Sequence, residues 1–99
     1  MPAAHQVALS PEALDDIARL DDFLRSKNPP AANRMLDTFE HALNRLADTP
    51  RRGRRVPWNT VREIREMVVR FGQGSYVLRY EVTPDLVLVA RIWHGRENR

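Results

Sequence analysis

The sequence predicts a single α+β domain, spanning residues 1–99, in which an antiparallel helix hairpin packs on an antiparallel sheet of three to four strands. Apolar residues recur at helical spacing up to about residue 48, and from Ile64 onward they alternate with a period of two. A chain of 99 residues is the size of one domain with one hydrophobic core. A two-layer domain of this kind leaves one face of its sheet open.

The first predicted elements are a short strand and a helix. Val7–Leu9 is a brief apolar run, and Ser10-Pro11-Glu12 is typical of a helix start, with a hydroxyl N-cap, a proline and a first-turn acid. Proline disfavours helical geometry in the residue before it, so this helix should end near Asn28-Pro29-Pro30. The predicted buried stripe consists of Ala13, Leu14, Ile17, Leu20, Phe23 and Leu24, and the opposite face carries Asp15, Asp16, Arg19 and Asp22.

A second helix is predicted from about Ala31 to Asp48. Its apolar residues recur at close to 3.6-residue spacing, and the short connection to the first helix favours an antiparallel hairpin. The predicted stripe is Met35, Leu36, Phe39, Ala42, Leu43, Leu46 and Ala47. A basic loop, Arg51-Arg52-Gly53-Arg54-Arg55, follows Thr49-Pro50.

Three strands are predicted at about 64–71, 75–82 and 86–93, joined by short turns into a meander. Alternation then assigns each residue to one face of the sheet. The predicted core face is Met67, Val69, Phe71, Tyr76, Leu78, Tyr80, Val82, Leu86, Leu88, Ala90 and Ile92. The predicted open face is Glu66, Val68, Arg70, Val77, Arg79, Glu81, Val87, Val89, Arg91 and Trp93. An open face that mixes valines with arginines indicates a partner-binding surface.

Charge is distributed unevenly along the chain. Residues 1–48 carry five cations and eight acids, a net charge of −3, whereas residues 49–99 carry eleven cations and five acids, a net charge of +6. All eleven cations of the second half are arginines, which favour bidentate recognition of carboxylate or phosphate. The expected partner therefore has a negative surface, and charge leaves open whether it is a protein or a nucleic acid.

Several classes of function are disfavoured by composition. The chain has no cysteine, so it has neither disulfides nor thiolate metal sites. No apolar run is long enough to span a bilayer, and Met1–Gln6 lacks the features of a signal peptide, so we expect a cytoplasmic protein. The three histidines fall in unrelated elements, so no metal or other cofactor is expected.

The last nine residues, Arg91–Arg99, place cations, an indole and an imidazole at the end of a buried strand. A rigid strand end can present such groups to a partner, although a solvated tail has the same composition. Trp93 would either anchor a partner or cover the edge of the core, and Arg79 and Arg91 would either face a partner or pair across strands with Glu81. Trp58 is expected to close the core beneath its loop.

The order of elements and three sequence stretches resemble the RelE/ParE superfamily of type II toxins, and most of all the ParE-like plasmid-stabilisation toxins. The stretches are Leu46–Gly53, Tyr76–Val82 and Ile92–Glu97, and the resemblance extends over about residues 6–99. It implies a toxin of a toxin–antitoxin system, with an antitoxin encoded beside it and a toxin–antitoxin hetero-oligomer.

Two branches of this superfamily imply different targets. The RelE-like branch consists of ribosome-dependent messenger-RNA endonucleases that use basic residues and a C-terminal tyrosine, without metal. Arg70 and Arg96 stand at positions matching its cations and are the catalytic candidates if this chain is a ribonuclease. Val68 and Val77 stand where that branch has cations, and no tyrosine follows Arg96.

The ParE-like branch resembles inhibitors that trap DNA gyrase on cleaved DNA, with no catalytic residues of their own. This resemblance implies a gyrase-directed toxin, and a non-toxic arginine-rich binding module is a further alternative. The candidate target-binding residues are Arg79, Arg91, Trp93, His94 and Arg96. The candidate antitoxin-binding residues are Arg54, Arg55 and Arg70, together with the acidic surface of the first helix. Neither a small-molecule substrate nor a membrane is expected.

Overall fold

The computed structural model describes residues 5–97. Met1–Ala4 and Asn98–Arg99 lie outside this range, so the last two residues of the cationic C-terminal stretch have no structural account. The elements are β1 (Gln6–Leu9), α1 (Pro11–Arg25), α2 (Pro29–Asp48), β2 (Arg54–Arg55), β3 (Ile64–Phe71), β4 (Gly74–Val82) and β5 (Leu86–His94). A single 3₁₀ turn, Pro50–Arg52, follows α2. Among the described helices, none combines the length and apolar character needed to cross a membrane.

The predicted α+β architecture is confirmed, with a helix hairpin packed on one face of a sheet. The sheet has five strands in the order β1-β5-β4-β3-β2. It is mixed rather than wholly antiparallel, because β1 runs parallel to β5 while the other three pairs are antiparallel. The additional strand β2 contains only Arg54 and Arg55, and two arginines carry no alternating pattern from which a strand could be predicted.

Helix α1 begins as predicted, because the Ser10 hydroxyl accepts the Ala13 N–H at 3.0 Å. Its predicted buried stripe is partly wrong. Leu14 and Phe23 are 53% and 65% exposed, whereas Asp16, expected on the solvent face, is only 4% exposed. The reason is tertiary: α1 follows the edge of β5, so the face formed by Ala13, Asp16 and Leu20 turns inward.

Helix α2 begins at Pro29, two residues earlier than predicted, because the Asn28 side chain caps the Ala31 N–H at 3.1 Å. The centre of its predicted stripe is confirmed, since Met35, Phe39, Ala42 and Leu46 are all buried. Phe39 meets Tyr76 of β4 edge-on, with ring centroids 4.9 Å apart. This contact is part of the core between the hairpin and the sheet.

The predicted faces are wrong for the first half of β5. Arg79 pairs with Arg91 but Tyr80 pairs with Val89, so Ala90 is an extra residue in a β-bulge. The bulge reverses the faces before it: Val87 and Val89 are fully buried in the core, while Leu86 and Leu88 are half-buried. After the bulge the prediction is confirmed, and Ile92 lies in the core.

Candidate partner-binding surfaces

An apolar row crosses the open face of the sheet. Val68 of β3 pairs with Val77 of β4, and Val77 pairs with Trp93 of β5. Val77 and Trp93 are buried, whereas Val68 is exposed. Val68 and Val77 therefore lie in one apolar strip beside an indole.

A row of arginines and tryptophans lies beside this strip. The Arg79 guanidinium is 5.2 Å from the ring centre of Trp58 and 4.8 Å from that of Trp93. Arg91 lies 5.0 Å from the Trp93 ring, so the four side chains form a continuous cation–π ladder. The expectation that Trp58 closes the core is wrong, because its side chain stacks on Arg79 and is 62% exposed.

The arginines of the ladder are held by carboxylates other than Glu81. Arg79 pairs with Glu66 of β3 at 2.6 Å, and Arg91 pairs with Asp16 of α1 at 2.8 Å. Glu81 instead pairs with Arg62. Of the two alternatives for Arg79 and Arg91, cross-strand pairing with Glu81 is thus wrong, and the two arginines are held in place while still partly open to solvent.

Asp16 connects α1 to the C-terminal half of β5. Its carboxylate accepts the backbone N–H of Ile92 at 2.8 Å and two hydrogen bonds from Arg91 at 2.8 and 3.1 Å. Arg19, one turn further along α1, donates to the same carboxylate at 3.2 Å. Burial alone would raise the pKa of Asp16, but the hydrogen bonds from Arg91, Ile92 and Arg19 outweigh it and lower the pKa below its usual value.

The C-terminal turn after β5 is linked to α1 through Glu97. The Glu97 carboxylate accepts the His94 N–H at 2.8 Å and also pairs with Arg19. The Arg96 N–H donates to His94 Nδ1 at 3.1 Å. His94 meets Tyr76 edge-on with ring centroids 5.3 Å apart, which places His94 on the helix side of the sheet.

The five predicted target-binding residues therefore divide between two surfaces. Arg79, Arg91 and Trp93 belong to the open-face ladder, whereas His94 and Arg96 line a groove of about 860 Å³ on the helix side. The groove is also lined by Arg19, Leu20, Phe23, Leu24, Phe71, Gly72, Gln73, Gly74, Tyr76 and Glu97.

Arg70 and Arg96, the pair expected to act together in a ribonuclease, line different cavities. Arg70 lines a cavity of about 410 Å³ between β3 and α2, whereas the helix residues that line the Arg96 groove all belong to α1. The predicted antitoxin-binding residues Arg54, Arg55 and Arg70 are all exposed, and none makes an ion pair within residues 5–97. The predicted acidic surface of α1 is smaller than expected, because Asp16 is buried and Asp21 pairs with Arg25.

Gly53 and Gly95 lie in two of the stretches that carry the family resemblance, and close packing requires a glycine at both positions. The Gly53 N–H donates to the Tyr80 hydroxyl at 2.8 Å, and a Cβ on Gly53 would lie 2.6 Å from the carbonyl oxygen of Glu66. The Gly95 N–H donates to the Ser75 carbonyl at 2.7 Å, and a Cβ there would lie 2.6 Å from Ser75 Oγ. These motif glycines thus anchor the basic loop and the C-terminal turn to the sheet.

Sequence reasoning missed Asp16 and Trp58 as parts of this surface. The burial of Asp16 could have been predicted from the sequence. Asp16 falls within the i, i+3, i+4 spacing of Ala13, Ile17 and Leu20, and an acid on that apolar face requires a partner. No sequence signal indicated the position of Trp58, because it lies in a loop whose path depends on tertiary contacts. In the described part of the chain, no three histidines or carboxylates cluster in a way that could hold a metal ion.

Comparison with known proteins identifies the family. Residues 7–99 match the family described as the ParE toxin of the type II toxin–antitoxin system parDE. The chain is 42% identical to Toxin RelE1 of Caulobacter vibrioides over 93 residues, covering 94% of this chain and 96% of that protein. It is 40% identical to Toxin RelE3 of the same organism, covering 94% and 97%.

A solved structure has the same fold. The chain superimposes on a protein from the chromosomal ParDE system of P. aeruginosa with a TM-score of 0.69, at 14% identity, covering 92% of this chain and 96% of that one. Membership of a type II system implies a cognate antitoxin as partner. The family match over nearly the whole length, together with the relatives, shows that this chain belongs to the ParE toxin family of the RelE/ParE superfamily, the toxins of type II toxin–antitoxin systems.

Proposed function

We propose that the chain is a protein inhibitor of DNA gyrase that binds its target through the open face of the sheet and traps gyrase on cleaved DNA. The observation that carries the proposal is the exposed Trp58 stacked on Arg79, in a ladder that the buried Trp93 continues to Arg91, beside the exposed Val68. Aromatic and arginine side chains that are held rigid at a surface are typical of anchors in protein–protein interfaces.

The chemistry of this face favours binding over acid–base catalysis. Cleavage of RNA needs a group that removes a proton from the 2′-hydroxyl and cations that stabilise the phosphate. On the open face, the Glu66 carboxylate is paired with Arg79, and Val68 and Val77 are apolar. His94 lies on the helix side, beside Tyr76. A surface of this composition supports complementary contact with a macromolecule.

The decisive experiment is a supercoiling and cleavage assay with purified gyrase over a concentration series of the chain. We expect loss of supercoiling and accumulation of cleaved DNA. Trp58→Ala should weaken this effect at least about tenfold, as expected for an interface anchor. Phe23→Ala is the matched control, since Phe23 is an aromatic residue of similar exposure, 65% against 62%, that lines the groove on the helix side. Supercoiling and DNA cleavage by gyrase that are unchanged at every concentration would refute the proposal.

A second candidate function is messenger-RNA cleavage on the ribosome. It is favoured by the similarity to relatives named RelE toxins, because the RelE-like branch contains the ribosome-dependent endonucleases. Primer extension on cellular messages after induction tests it. New 5′ ends that disappear in Arg70→Ala would support cleavage, whereas their absence, together with trapped gyrase, supports the inhibitor. A chain that neither slows growth nor produces either effect would be a non-toxic binding module.

A further inference from the structure

Exposed arginines border the edge of the sheet that β2 and β3 form. Arg54 of β2 lies opposite Glu66 of β3 in the register, and Arg70 follows Glu66 by four residues on β3. Arg45 of α2 lines the same cavity as Arg70. Arg45, Arg54 and Arg70 are called the edge arginines here. All three are exposed, and none makes an ion pair within residues 5–97.

The surroundings of the edge arginines favour an anionic partner. Glu66, the acid opposite Arg54, is held by Arg79 at 2.6 Å. The cavity of Arg45 and Arg70 has a volume of about 410 Å³, and among the described residues no acid lines it. Its other lining residues are Thr38, His41, Val68 and Val69. A guanidinium without an internal partner binds a carboxylate or a phosphate, so the charge of the partner is defined but its chemistry is not.

The layout of the edge favours a nucleic-acid backbone over an acidic protein segment. Protein partners are usually held by aromatic anchors, and both tryptophans of the chain stack on Arg79 in the ladder rather than on an edge arginine. Arg54 and Arg70 are separated along β3 by roughly 13 Å, at about 3.3 Å per residue. This distance is close to the width of the major groove of B-DNA, about 12 Å, so the two side chains can reach phosphates on its two sides.

The edge arginines adjoin the surface that is proposed to bind gyrase. Arg54, Glu66, Arg79 and Arg91 follow one another across β2, β3, β4 and β5, because each pairs with the next in the register. The last two belong to the ladder. A molecule that traps gyrase on cleaved DNA must bind the DNA-containing state more tightly than gyrase alone, since a ligand shifts an equilibrium only through its differential affinity. Contacts to the DNA itself supply such a difference.

We propose that Arg45, Arg54 and Arg70 bind the phosphate backbone of the double-stranded DNA held by gyrase, while the ladder binds the enzyme. This inference rests on the proposed function and adds DNA as a second component of the target. The chain would then lie where enzyme and DNA meet, with both surfaces occupied in the trapped complex. Because the contacts are to phosphates, they should not depend on base sequence.

Fluorescence anisotropy of a labelled DNA duplex, titrated with the chain alone over a range of salt concentrations, tests the contact without gyrase. Arg45→Ala and Arg70→Ala should each weaken binding about fivefold and reduce the slope of log K against log salt by about 0.9. Lys27→Ala is the matched control, because it removes an exposed positive charge between α1 and α2, away from the edge. Absence of binding at low salt, or equal slopes for the parent and all three variants, would overturn the inference.

An oligoglutamate peptide with as many charges as the duplex distinguishes phosphate from carboxylate recognition in the same titration. The duplex should bind more tightly, by about tenfold, because it carries one charge per about 1.7 Å and releases condensed counterions on binding. A peptide that binds as tightly as the duplex, or more tightly, would assign the edge arginines to an acidic protein segment and overturn the inference.

The gyrase cleavage assay separates this inference from the proposed function. A double variant, Arg45→Ala with Arg70→Ala, should give at least about fivefold less cleaved DNA than the parent at the same concentration, whereas Lys27→Ala should match the parent. Thermal melts first establish that both variants are folded. A double variant that traps as much cleaved DNA as the parent would overturn the DNA contact and leave gyrase inhibition standing. A parent chain that does not affect gyrase would instead refute the proposed function, whatever the anisotropy titration shows.

Discussion

The carboxylate of Asp16 serves as a backbone partner for Ile92 where the parallel strand β1 has ended. It accepts the Ile92 N–H at 2.8 Å, and Arg19, one turn away on α1, approaches the Ile92 carbonyl at 3.5 Å. The same carboxylate holds Arg91, the outermost arginine of the cation–π ladder. One buried acid thus joins the helix layer, the strand edge and the open-face surface.

Asp16→Asn should therefore destabilise the fold by about 2–3 kcal/mol, because it weakens a charge-assisted acceptor for a buried N–H and for two guanidinium groups. The free energy of unfolding from urea titrations measures this. Asp15→Asn is the matched control, an exposed acid at the adjacent position of the same helix, and should change stability by less than about 0.5 kcal/mol. Equal effects of the two substitutions would show that the Asp16 contacts contribute little.

The contribution of Asp16 to the free energy of unfolding should also depend on pH. The pKa of Asp16 is lower in the folded chain than in the unfolded chain, where a carboxyl titrates near about pH 4. Its contribution is therefore fully present above about pH 5 and is lost as the pH falls through the folded-state pKa. The difference in unfolding free energy between the parent and Asp16→Asn should be constant from neutral pH down to about pH 5 and shrink below about pH 4. A difference that stays constant down to about pH 3 would contradict a lowered pKa of Asp16 in the folded chain.

Gly53→Ala should destabilise the chain by about 2–3 kcal/mol, because the new Cβ would lie 2.6 Å from both the Glu66 carbonyl and the Tyr80 hydroxyl. Gly72→Ala separates this steric effect from backbone strain. Gly72 has φ of 57°, and a Cβ on it would meet no atom within 4 Å, so its substitution should cost only about 1–2 kcal/mol. Thermal melts of both variants compare the two costs. A smaller loss for Gly53→Ala than for Gly72→Ala would contradict the close-packing explanation.

The elements could be predicted from the sequence because their signals are local. Ser10 and Pro11 mark the start of α1, and the two hydrophobic periods distinguish helices from strands. The surfaces could not be predicted in full, because their arrangement depends on tertiary contacts. The bulge at Ala90 leaves no trace in the alternation of Leu86–Trp93, and the inward rotation of Asp16 depends on how α1 meets β5.

The bulge at Ala90 predicts which of Val89 and Leu88 is more sensitive to substitution, and a regular strand would predict the opposite order. With Ala90 as the extra residue, Val89 points into the core and Leu88 towards the open face, opposite Glu81. Val89→Thr should therefore bury an unpaired hydroxyl and cost about 1–3 kcal/mol. Leu88→Thr, on the half-buried face, should cost less, about 1 kcal/mol, although it removes more apolar surface. Urea titrations of the two variants decide the matter: without the bulge Leu88 would be the core residue, and the order of the two losses would be inverted.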